Sequence, residues 1–344
     1  MSKKAIITGI SGQDGAYLAQ YLLELGYKVF GAVRRSSRSA EILPRLKYLG
    51  IEKEVELIDF ELSELTNITR VIKSTQPDEI YNLGGQSFVG ASWEQPLTTT
   101  DINAIAVLRI LETIREYSAE TRFYQASTSE MFGAISPPQS ETTPFYPRSP
   151  YGVSKLFGHW ITKNYRESYG LKACSGILFN HESPIRGQEF VTRKISLSLS
   201  RVAQGKQDVV KLGNLSAQRD WGFAGDYVKG MHLMTTSEKI SDYVLASGET
   251  HSIREFATIA AESLGMDLAW EGEGVNEKAI NKKTNKCVIS VDPKFFRPAE
   301  VDLLLGDASK AENDLGWKRT IDFKSLVEMM ASSDYDAVKK DNIV

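Results

Sequence analysis

The stretch Lys4-Ala-Ile-Ile-Thr8-Gly-Ile-Ser-Gly-Gln-Asp-Gly15 decides the fold of this chain. Its first half is a short apolar run that predicts a buried strand, and an amphipathic run from Tyr17 to Leu25 follows the glycines. Strand, glycine loop and helix in this order are typical of a dinucleotide-binding site, whereas the glycines alone indicate only a tight turn. The predicted contacts to a cofactor pyrophosphate are Gly9, Gly12, Gln13, Asp14 and Gly15.

Apolar strands and amphipathic helices alternate over the next 160 or so residues. The predicted strands are Lys28–Val33, Val55–Asp59, Glu79–Leu83, Phe123–Ser127 and Ala173–Phe179, and a helix is predicted over Asp101–Tyr117. This pattern predicts an α/β protein with a Rossmann-like, doubly wound parallel sheet. We expect residues 1–180 to form the dinucleotide-binding domain, with later segments returning to it. Residues 181–344 then form mainly a smaller, interleaved, mixed α/β domain for the substrate, with a surface loop over Gly272–Lys286.

The end of the second strand carries cations where an NAD enzyme carries an acidic residue. Arg34, Arg35 and Ser36 offer charge and hydrogen bonds to a 2′-phosphate, which predicts NADP as the cofactor. The alternative is a solvated basic loop, but the missing acid favours the phosphate. Further predicted cofactor contacts follow the third and fourth strands and are Asp59, Phe60, Leu83, Gly84, Gln86 and Ser87.

Two further motifs predict the chemistry. Thr128 and Glu130 follow the fifth strand, and Tyr151-Gly-Val-Ser-Lys155 comes next. On a helix Tyr151 and Lys155 lie one turn apart, so the ammonium can lower the pKa of the phenol from its usual value near ~10. Ligands bind at the carboxyl ends of parallel strands, so a hydroxyl, a carboxylate and a phenolate base can meet there. Tyr-x-x-x-Lys alone is more often a solvated surface pair.

Composition excludes several other classes of protein. The chain has 344 residues, 42% of them hydrophobic, and a net charge of -3, which gives no general attraction to nucleic acid or an anionic membrane. We expect a cytoplasmic protein, since no apolar run is long enough to span a bilayer and the first residues pass directly into a strand. Cys174 and Cys287 have no partners at metal-ligand spacing, and we expect neither a disulfide nor a metal site.

Longer motifs resemble the extended short-chain dehydrogenase/reductase family and, within it, the GDP-mannose 4,6-dehydratase family. They cover nearly the whole chain and are Gly9-Ile-Ser-Gly-Gln-Asp-Gly15, Tyr81-Asn-Leu-Gly-Gly-Gln-Ser87, Gln125-Ala-Ser-Thr-Ser-Glu-Met-Phe-Gly133, Tyr146-Pro-Arg-Ser-Pro-Tyr-Gly-Val-Ser-Lys155, Phe179-Asn-His-Glu-Ser-Pro184, Glu189-Phe-Val-Thr-Arg-Lys194, Arg219-Asp-Trp-Gly222 and Phe295-Phe-Arg-Pro-Ala-Glu-Val301.

The resemblance implies loss of water from GDP-mannose by internal hydride transfer through bound NADP, and a homodimer or homotetramer. It implies catalytic roles for Thr128, Glu130, Tyr151 and Lys155. The implied cofactor contacts include Tyr151, Lys155, His181 and Arg186. The implied contacts to the GDP-sugar are Ser87, Glu130, Asn180, Val191, Lys194, Gly213, Arg219, Arg297 and Glu300.

The chain departs from the family pattern at Gly84-Gly85, Phe88 and Thr98. Two glycines widen the pocket, so GDP-manno-heptose is an alternative sugar. A 4-epimerase or 4-dehydrogenase of the same fold is a second alternative, but neither needs the carboxylate of Glu130. A cofactor-binding regulator without catalysis is a third, and the presence of Glu130, Tyr151 and Lys155 speaks against it.

Overall fold

The computed structural model describes residues 2–34, 43–295 and 303–344. In chain order its strands are β1 (Lys4–Thr8), β2 (Lys28–Val33), β3 (Glu56–Asp59), β4 (Glu79–Asn82), β5 (Arg122–Thr128), β6 (Ala173–Leu178), β7 (Asn180–Glu182), β8 (Val210–Leu212), β9 (Gln218–Arg219), β10 (Trp221–Phe223), β11 (Tyr243–Leu245), β12 (His251–Ser252), β13 (Leu268–Glu271), β14 (Lys278–Asn281), β15 (Lys286–Val291) and β16 (Leu303–Leu304). Its α-helices are α1 (Gln13–Glu24), α2 (Pro44–Tyr48), α3 (Leu65–Thr75), α4 (Val89–Glu94), α5 (Pro96–Thr100), α6 (Ala106–Tyr117), α7 (Pro150–Tyr169), α8 (Val191–Ala203), α9 (Ala224–Thr236), α10 (Ile253–Ser263), α11 (Ser309–Leu315) and α12 (Phe323–Lys339).

The chain divides into two compact units. The first comprises Met1–Phe179, Ala224–Ala246 and Gly306–Lys318, and the second comprises Asn180–Phe223, Ser247–Leu305 and Arg319–Val344. That the first unit binds the cofactor and the second the nucleotide sugar stays a prediction.

The first unit is built on a parallel sheet. Among the described residues seven strands pair in the order β11-β6-β5-β4-β1-β2-β3, and every pairing is parallel. Helix α1 packs with α9, while α6 packs with both α3 and α7, as helices do when they flank a doubly wound sheet. The predicted Rossmann-like fold is confirmed. Strand order reverses at β1, so the carboxyl ends of β1 and β4 border the crevice in which such sheets bind ligands.

Helix α7 begins and ends where its sequence directs. Ser149 caps it by accepting a hydrogen bond from Gly152 N at 3.0 Å, and Pro150 occupies the first turn, where its missing N–H costs nothing. Gly170 ends the helix with a φ of +68°. The helix predicted from Tyr151 and Lys155 is therefore confirmed, and both residues face the interior.

The second unit has several small sheets over its own core. Its strands form the sheets β10-β7, β12-β9-β16 and β13-β14-β15-β8 in the described part of the chain. Helices α8, α10 and α12 pack on one another around the buried residues Phe256, Phe323 and Trp221. This helical core gives the second unit a hydrophobic interior of its own.

Three expectations from the sequence are wrong in detail. The predicted loop Gly272–Lys286 contains β14 and the first residue of β15, because Lys278–Asn281 pairs with β13 and β15 despite its polar composition. The helix predicted to begin at Asp101 opens with a π-helical segment, Asp101–Ile105, before α6. Helix α1 also begins four residues before the predicted Tyr17, because the last glycine of the loop is already helical.

No helix in the described ranges is long and apolar enough to cross a membrane. Both cysteines are free thiols, with Cys174 buried in β6.

Candidate active site

The glycine loop brings three backbone segments closer together than side chains would allow. A Cβ on Gly9 would lie 2.9 Å from Gly84 N, and one on Gly15 would lie 2.3 Å from Gly9 O. Gly9 also has a φ of +71°, which glycine adopts at little cost. Helix α1 begins within the loop, at Gln13, so its first N–H groups lie at the loop and can bind an anion. The bare backbone beside a helix amino end fits a cofactor pyrophosphate, and the individual contacts of Gly12, Gln13 and Asp14 stay a prediction.

The described structure places only part of the predicted adenosine site. Arg34 follows β2 and is exposed, whereas Arg35 and Ser36 lie outside the described residues. Asp59 at the end of β3 is exposed, but the side chain of Phe60 is buried in the hydrophobic core. Any contact from Phe60 to a cofactor would therefore come from its backbone. The preference for NADP stays a prediction.

The loop after β4 lies against the catalytic candidates. Gly84 N donates to Thr8 Oγ1 at 2.8 Å, which places the Leu83–Gly84 backbone beside the glycine loop. A Cβ on Gly85 would lie 2.9 Å from Asn103 Oδ1 and 3.4 Å from Lys155 Nζ. Glycine at this position therefore brings the backbone close to the ammonium.

The π-helical segment brings in Asn103, a residue that was not predicted from the sequence. Its side chain accepts from Gln86 N at 2.9 Å, donates to Gln86 O at 3.0 Å and lies 3.3 Å from Ser154 Oγ. Because Gln86 and Ser154 lie far from Asn103 in sequence, only the fold reveals this bridge. The one local signal was an asparagine within the apolar run Ile102–Ala106. Asn103 thus ties the loop that carries Gln86 and Ser87 to α7.

Thr128 and Glu130 occupy the carboxyl end of β5. Thr128 Oγ1 accepts a hydrogen bond from Glu130 N at 3.2 Å and caps the 3₁₀ turn Ser129–Met131. Since the hydroxyl accepts from the backbone, its own hydrogen can be donated to a ligand oxygen. Glu130 is partly exposed, and a Cβ on Gly152 would lie 3.0 Å from Glu130 O. The turn with Glu130 therefore lies against the helix that begins beside Tyr151.

Tyr151 and Lys155 lie one turn apart on the buried face of α7. Lys155 Nζ donates to Ala126 O at 3.0 Å and lies 6.0 Å from the centroid of the Tyr151 ring. Burial lowers the pKa of Lys155 from 10.5 to about 8, and the carboxylate of Asp14 acts in the opposite direction. The fold thus brings a phenol, a buried amine, a hydroxyl and a carboxylate to one edge of the sheet.

Several predicted ligand-binding residues belong to the second unit. Asn180 and His181 lie in β7, which pairs with β10. Arg186 forms an ion pair with Glu182 at 3.1 Å, and its guanidinium lies 3.6 Å from the centroid of the Phe190 ring. Arg186 is thereby held in one orientation from two sides.

Two of the remaining candidates of the second unit, Lys194 and Gly213, lie against Phe295. Lys194 Nζ lies 3.5 Å from the centroid of the Phe295 ring, and burial lowers the pKa of Lys194. A Cβ on Gly213 would lie 2.5 Å from Phe295 O, so only glycine fits there without a shift. Val191 begins α8 and Arg219 lies in β9. Arg297 and Glu300 lie outside the described residues.

Comparisons with known proteins agree with this arrangement. A family model described as GDP-mannose 4,6 dehydratase matches residues 6–330. A GDP-mannose 4,6-dehydratase from Sinorhizobium fredii is 50% identical over 340 residues, which are 96% of this chain and 96% of that one.

Two solved structures share the fold at lower identity. RMD from Pseudomonas aeruginosa complexed with NADPH has a TM-score of 0.76 at 21% identity, over 97% of this chain and 99% of that one. UDP-glucose 4-epimerase from Thermotoga maritima with UDP-glucose has a TM-score of 0.80 at 20% identity, over 97% of this chain and 99% of that one. The family match, which spans both units, and the 50% identical relative show that the chain belongs to the GDP-mannose 4,6-dehydratase family.

Proposed function

We propose that this protein is an NADP-dependent hydro-lyase that converts GDP-mannose to GDP-4-keto-6-deoxymannose and water. The observation that carries this proposal is the position of Glu130, a partly exposed carboxylate on the turn directly after Thr128. Oxidation at C4 needs only a base and a hydride acceptor, whereas removal of water across C5 and C6 also needs a group that takes one proton and gives one.

The residues fit a dinucleotide, since the glycine loop and the start of α1 leave bare backbone for a pyrophosphate. Gly9, Gly12 and Gly15 would hold the pyrophosphate, and the backbone of Gly84 would face the nicotinamide ribose of the dinucleotide. When bound, NADP supplies a reversible hydride acceptor for C4 of the sugar and a donor for C6. Because that hydride is returned within one turnover, the cofactor is not consumed.

The first half of the reaction depends on Tyr151, Lys155 and Thr128. Tyr151 as a phenolate takes the proton of the 4-hydroxyl, and Lys155 as a cation favours that phenolate. Thr128 donates its hydroxyl hydrogen to the oxygen that becomes the C4 ketone. Its other hydrogen bond, from Glu130 N, holds the oxygen in place.

The second half depends on Glu130. The C4 ketone acidifies the hydrogen on C5, and the Glu130 carboxylate removes it as a proton. The protonated carboxyl then gives this proton to the 6-hydroxyl, which leaves as water as the C5–C6 double bond forms. Addition of the hydride at C6 and of one proton at C5 completes the product. Tyr151 gives up the proton that it took from the 4-hydroxyl, so one proton is taken and one returned, and the net loss is one water.

Replacing Glu130 with glutamine separates the two halves. Glu130→Gln keeps the size of the side chain but removes the titrating group, so release of dehydrated product should fall by ~10²- to 10⁴-fold. Reduced cofactor should still form and be visible by absorbance, while exchange of the C5 hydrogen in deuterated water slows. Tyr151→Phe is the matched control and should fail before any reduced cofactor appears. Near-normal product release by Glu130→Gln would assign the C5 base to another group.

The sugar is tested directly by mass spectrometry of the products from GDP-mannose and GDP-manno-heptose. Loss of one water from GDP-mannose supports the proposal, and loss only from the heptose sugar would make the protein a heptose dehydratase. The heptose sugar stays an alternative because Gly85 carries no side chain beside Lys155, whereas a Cβ on Gly84 would meet Leu62 and Thr8 instead. Loss of water from neither would leave a 4-epimerase or 4-dehydrogenase.

We also propose that the protein forms a homodimer through α4, α5 and α7, and a homotetramer is the alternative. We propose further that it works in the cytoplasm. Large apolar side chains are exposed on these helices, and α4 and α5 both pack against α7. They are Trp93, Leu97, Val153, Phe157 and Trp160. A two-fold axis would place two copies of this face together and bury them. Sedimentation equilibrium would measure the number of copies.

A further inference from the structure

Polar side chains line up across the parallel sheet just below the candidate active site. Thr8 of β1 pairs in register with Asn82 of β4, and Asn82 pairs with Gln125 of β5. All three side chains are buried. Because residues in register on neighbouring strands carry their side chains on the same face, these three groups can bond directly.

Each member of the row is hydrogen-bonded to the next. Thr8 Oγ1 donates to Asn82 Oδ1 at 2.8 Å, and Asn82 Nδ2 donates to Gln125 Oε1 at 2.8 Å. Gln125 Nε2 then donates to Ala126 O at 3.0 Å, the same carbonyl that accepts from Lys155 Nζ at 3.0 Å. We call Thr8, Asn82 and Gln125 the polar relay.

The direction of the polar relay is set at its far end. Gly84 N donates to Thr8 Oγ1, so the Thr8 hydroxyl hydrogen is free to point to Asn82 Oδ1. Asn82 Nδ2 is then the group that donates to Gln125 Oε1. Because Gln125 Oε1 faces Asn82, Gln125 Nε2 points toward Ala126 O. A backbone N–H can only donate, so Gly84 leaves the Thr8 hydrogen for an acceptor. Asn82 Oδ1 at 2.8 Å is the better placed one, since Tyr81 O lies at 3.5 Å, and the orientation of both amides follows from this choice.

Ala126 lies one residue beyond the last register pair of β4 with β5, Asn82 with Gln125. Beyond the end of the β4–β5 pairing, the Ala126 carbonyl therefore accepts hydrogen bonds from the side chains of Gln125 and Lys155. We propose that Gln125 is a positioning residue, which holds the Ala126 carbonyl so that it presents the Lys155 ammonium to Tyr151. Through Asn82 and Thr8 the same relay couples Lys155 to Gly84, in the loop that faces the cofactor. The inference rests on the proposed function, since it gives Lys155 its task.

The test uses variants that are neutral and close in volume. Gln125→Met removes the donor to Ala126 O, and the rate of cofactor reduction by GDP-mannose at pH 7 should fall by roughly tenfold or more. The pH midpoint of that step should rise by about one unit, because a displaced ammonium favours the phenolate less. The affinity for NADP should change by less than about twofold. This is well below the tenfold change that corresponds to one pKa unit, or about 1.4 kcal/mol.

Asn82→Leu interrupts the relay without touching Ala126 or Lys155 and should shift the pH midpoint in the same direction. If both act through one relay, the double variant should be no worse than Gln125→Met alone. Ser175→Ala is the control, because Ser175 pairs in register with Gln125 on β6 and its buried hydroxyl has no hydrogen-bond partner among the described residues. It should behave as the wild type.

A loss that is independent of pH, additive effects in the double variant, or an equal loss in Ser175→Ala would overturn the proposal. Should Gln125→Met fail to fold, Asn82→Leu carries the same measurement. Cofactor reduction by the wild-type protein shows whether a failure concerns the proposed function or only this inference. If the wild type gives no reduced cofactor with either GDP-sugar, the midpoint is read from tyrosinate absorbance against each protein's Tyr151→Phe derivative. An unshifted midpoint there would also overturn the relay.

Discussion

Among the described residues, each unit fully buries one lysine or arginine side chain, and the two side chains have opposite kinds of surroundings. Arg193 in the second unit is 1% exposed, and Lys155 in the first unit is 5% exposed. Arg193 Nε donates to Asp334 Oδ1 at 2.8 Å, and its other nitrogens donate to the carbonyls of Arg186 and Val344. Asp334 also accepts from Ser196. Every part of this ion pair therefore has a partner within the second unit.

Within the described ranges Lys155 has no ion-pair partner, and the Asp14 carboxylate opposes the effect of its burial only in part. In the described part of the chain its one hydrogen-bond acceptor is a neutral carbonyl, Ala126 O, and it forms no ion pair. Burial accordingly lowers its pKa to about 8. A buried charge without a counter-charge costs stability, and proteins keep such groups where chemistry needs them. The comparison separates a cation that holds structure from one that is reserved for a reaction.

Breaking the paired cation should have the largest effect. Asp334→Asn leaves the Arg193 charge buried without its carboxylate, and the free energy of unfolding should fall by roughly 3 to 5 kcal/mol. Denaturant titration followed by circular dichroism measures this change. The folded fraction should keep normal turnover, since Asp334 lies outside the proposed chemistry. A decrease below about 1 kcal/mol would contradict the view that the pair is structural.

Replacing Lys155, the unpaired cation, should lower activity and raise stability, which is the reverse of the pattern expected for Asp334→Asn. Lys155→Met should slow cofactor reduction by roughly 10²- to 10³-fold, because Tyr151 loses the cation that favours its phenolate. The same change should raise the free energy of unfolding by about 1 to 3 kcal/mol at pH 7, since it relieves the burial of an uncompensated charge. Gln125 still donates to Ala126 O, so no buried carbonyl is left unpaired.

The dependence on pH is the control for Lys155→Met. The folded protein releases the Lys155 proton near pH 8, whereas the unfolded chain keeps it to about 10.5. Between these values the unfolded chain binds more protons, so the contribution of Lys155 to stability rises with pH. The difference in stability between Lys155→Met and the wild type should therefore shrink from pH 7 to pH 10. A constant difference would mean that burial does not lower the pKa of Lys155, because the folded and unfolded chains would then bind the same number of protons over this range.

Replacing the exposed cation Arg34 should have the smallest effect, and this effect should be confined to cofactor binding. Arg34→Ala should leave stability within about 0.5 kcal/mol, since the side chain is exposed. It should lower the preference for NADP over NAD by about tenfold or more, because one charge-assisted hydrogen bond to the 2′-phosphate is worth roughly 1.5 to 3 kcal/mol. Titration of both cofactors measures the ratio. An unchanged ratio would assign the preference to other residues.

The sequence was sufficient for features that depend on neighbours along the chain. The strand and glycine pattern from Lys4 to Gly15 predicted the first strand and the loop after it, because local sterics and periodicity act over a few residues. Tyr151 and Lys155 were placed on one helix face by their spacing alone. Those local rules also predicted the parallel sheet, since apolar strands that alternate with helices have few other ways to bury themselves.

Only the tertiary structure decided which distant groups meet. Arg193 and Asp334 are separated by 141 positions, and Gln86 and Asn103 by 17, so no local rule pairs them. The π-helical segment around Asn103 and the relay through Asn82 and Gln125 likewise depend on strand register and on contacts between elements. A buried polar group must find a partner wherever the packed chain supplies one, and that requirement acts only after the elements have come together.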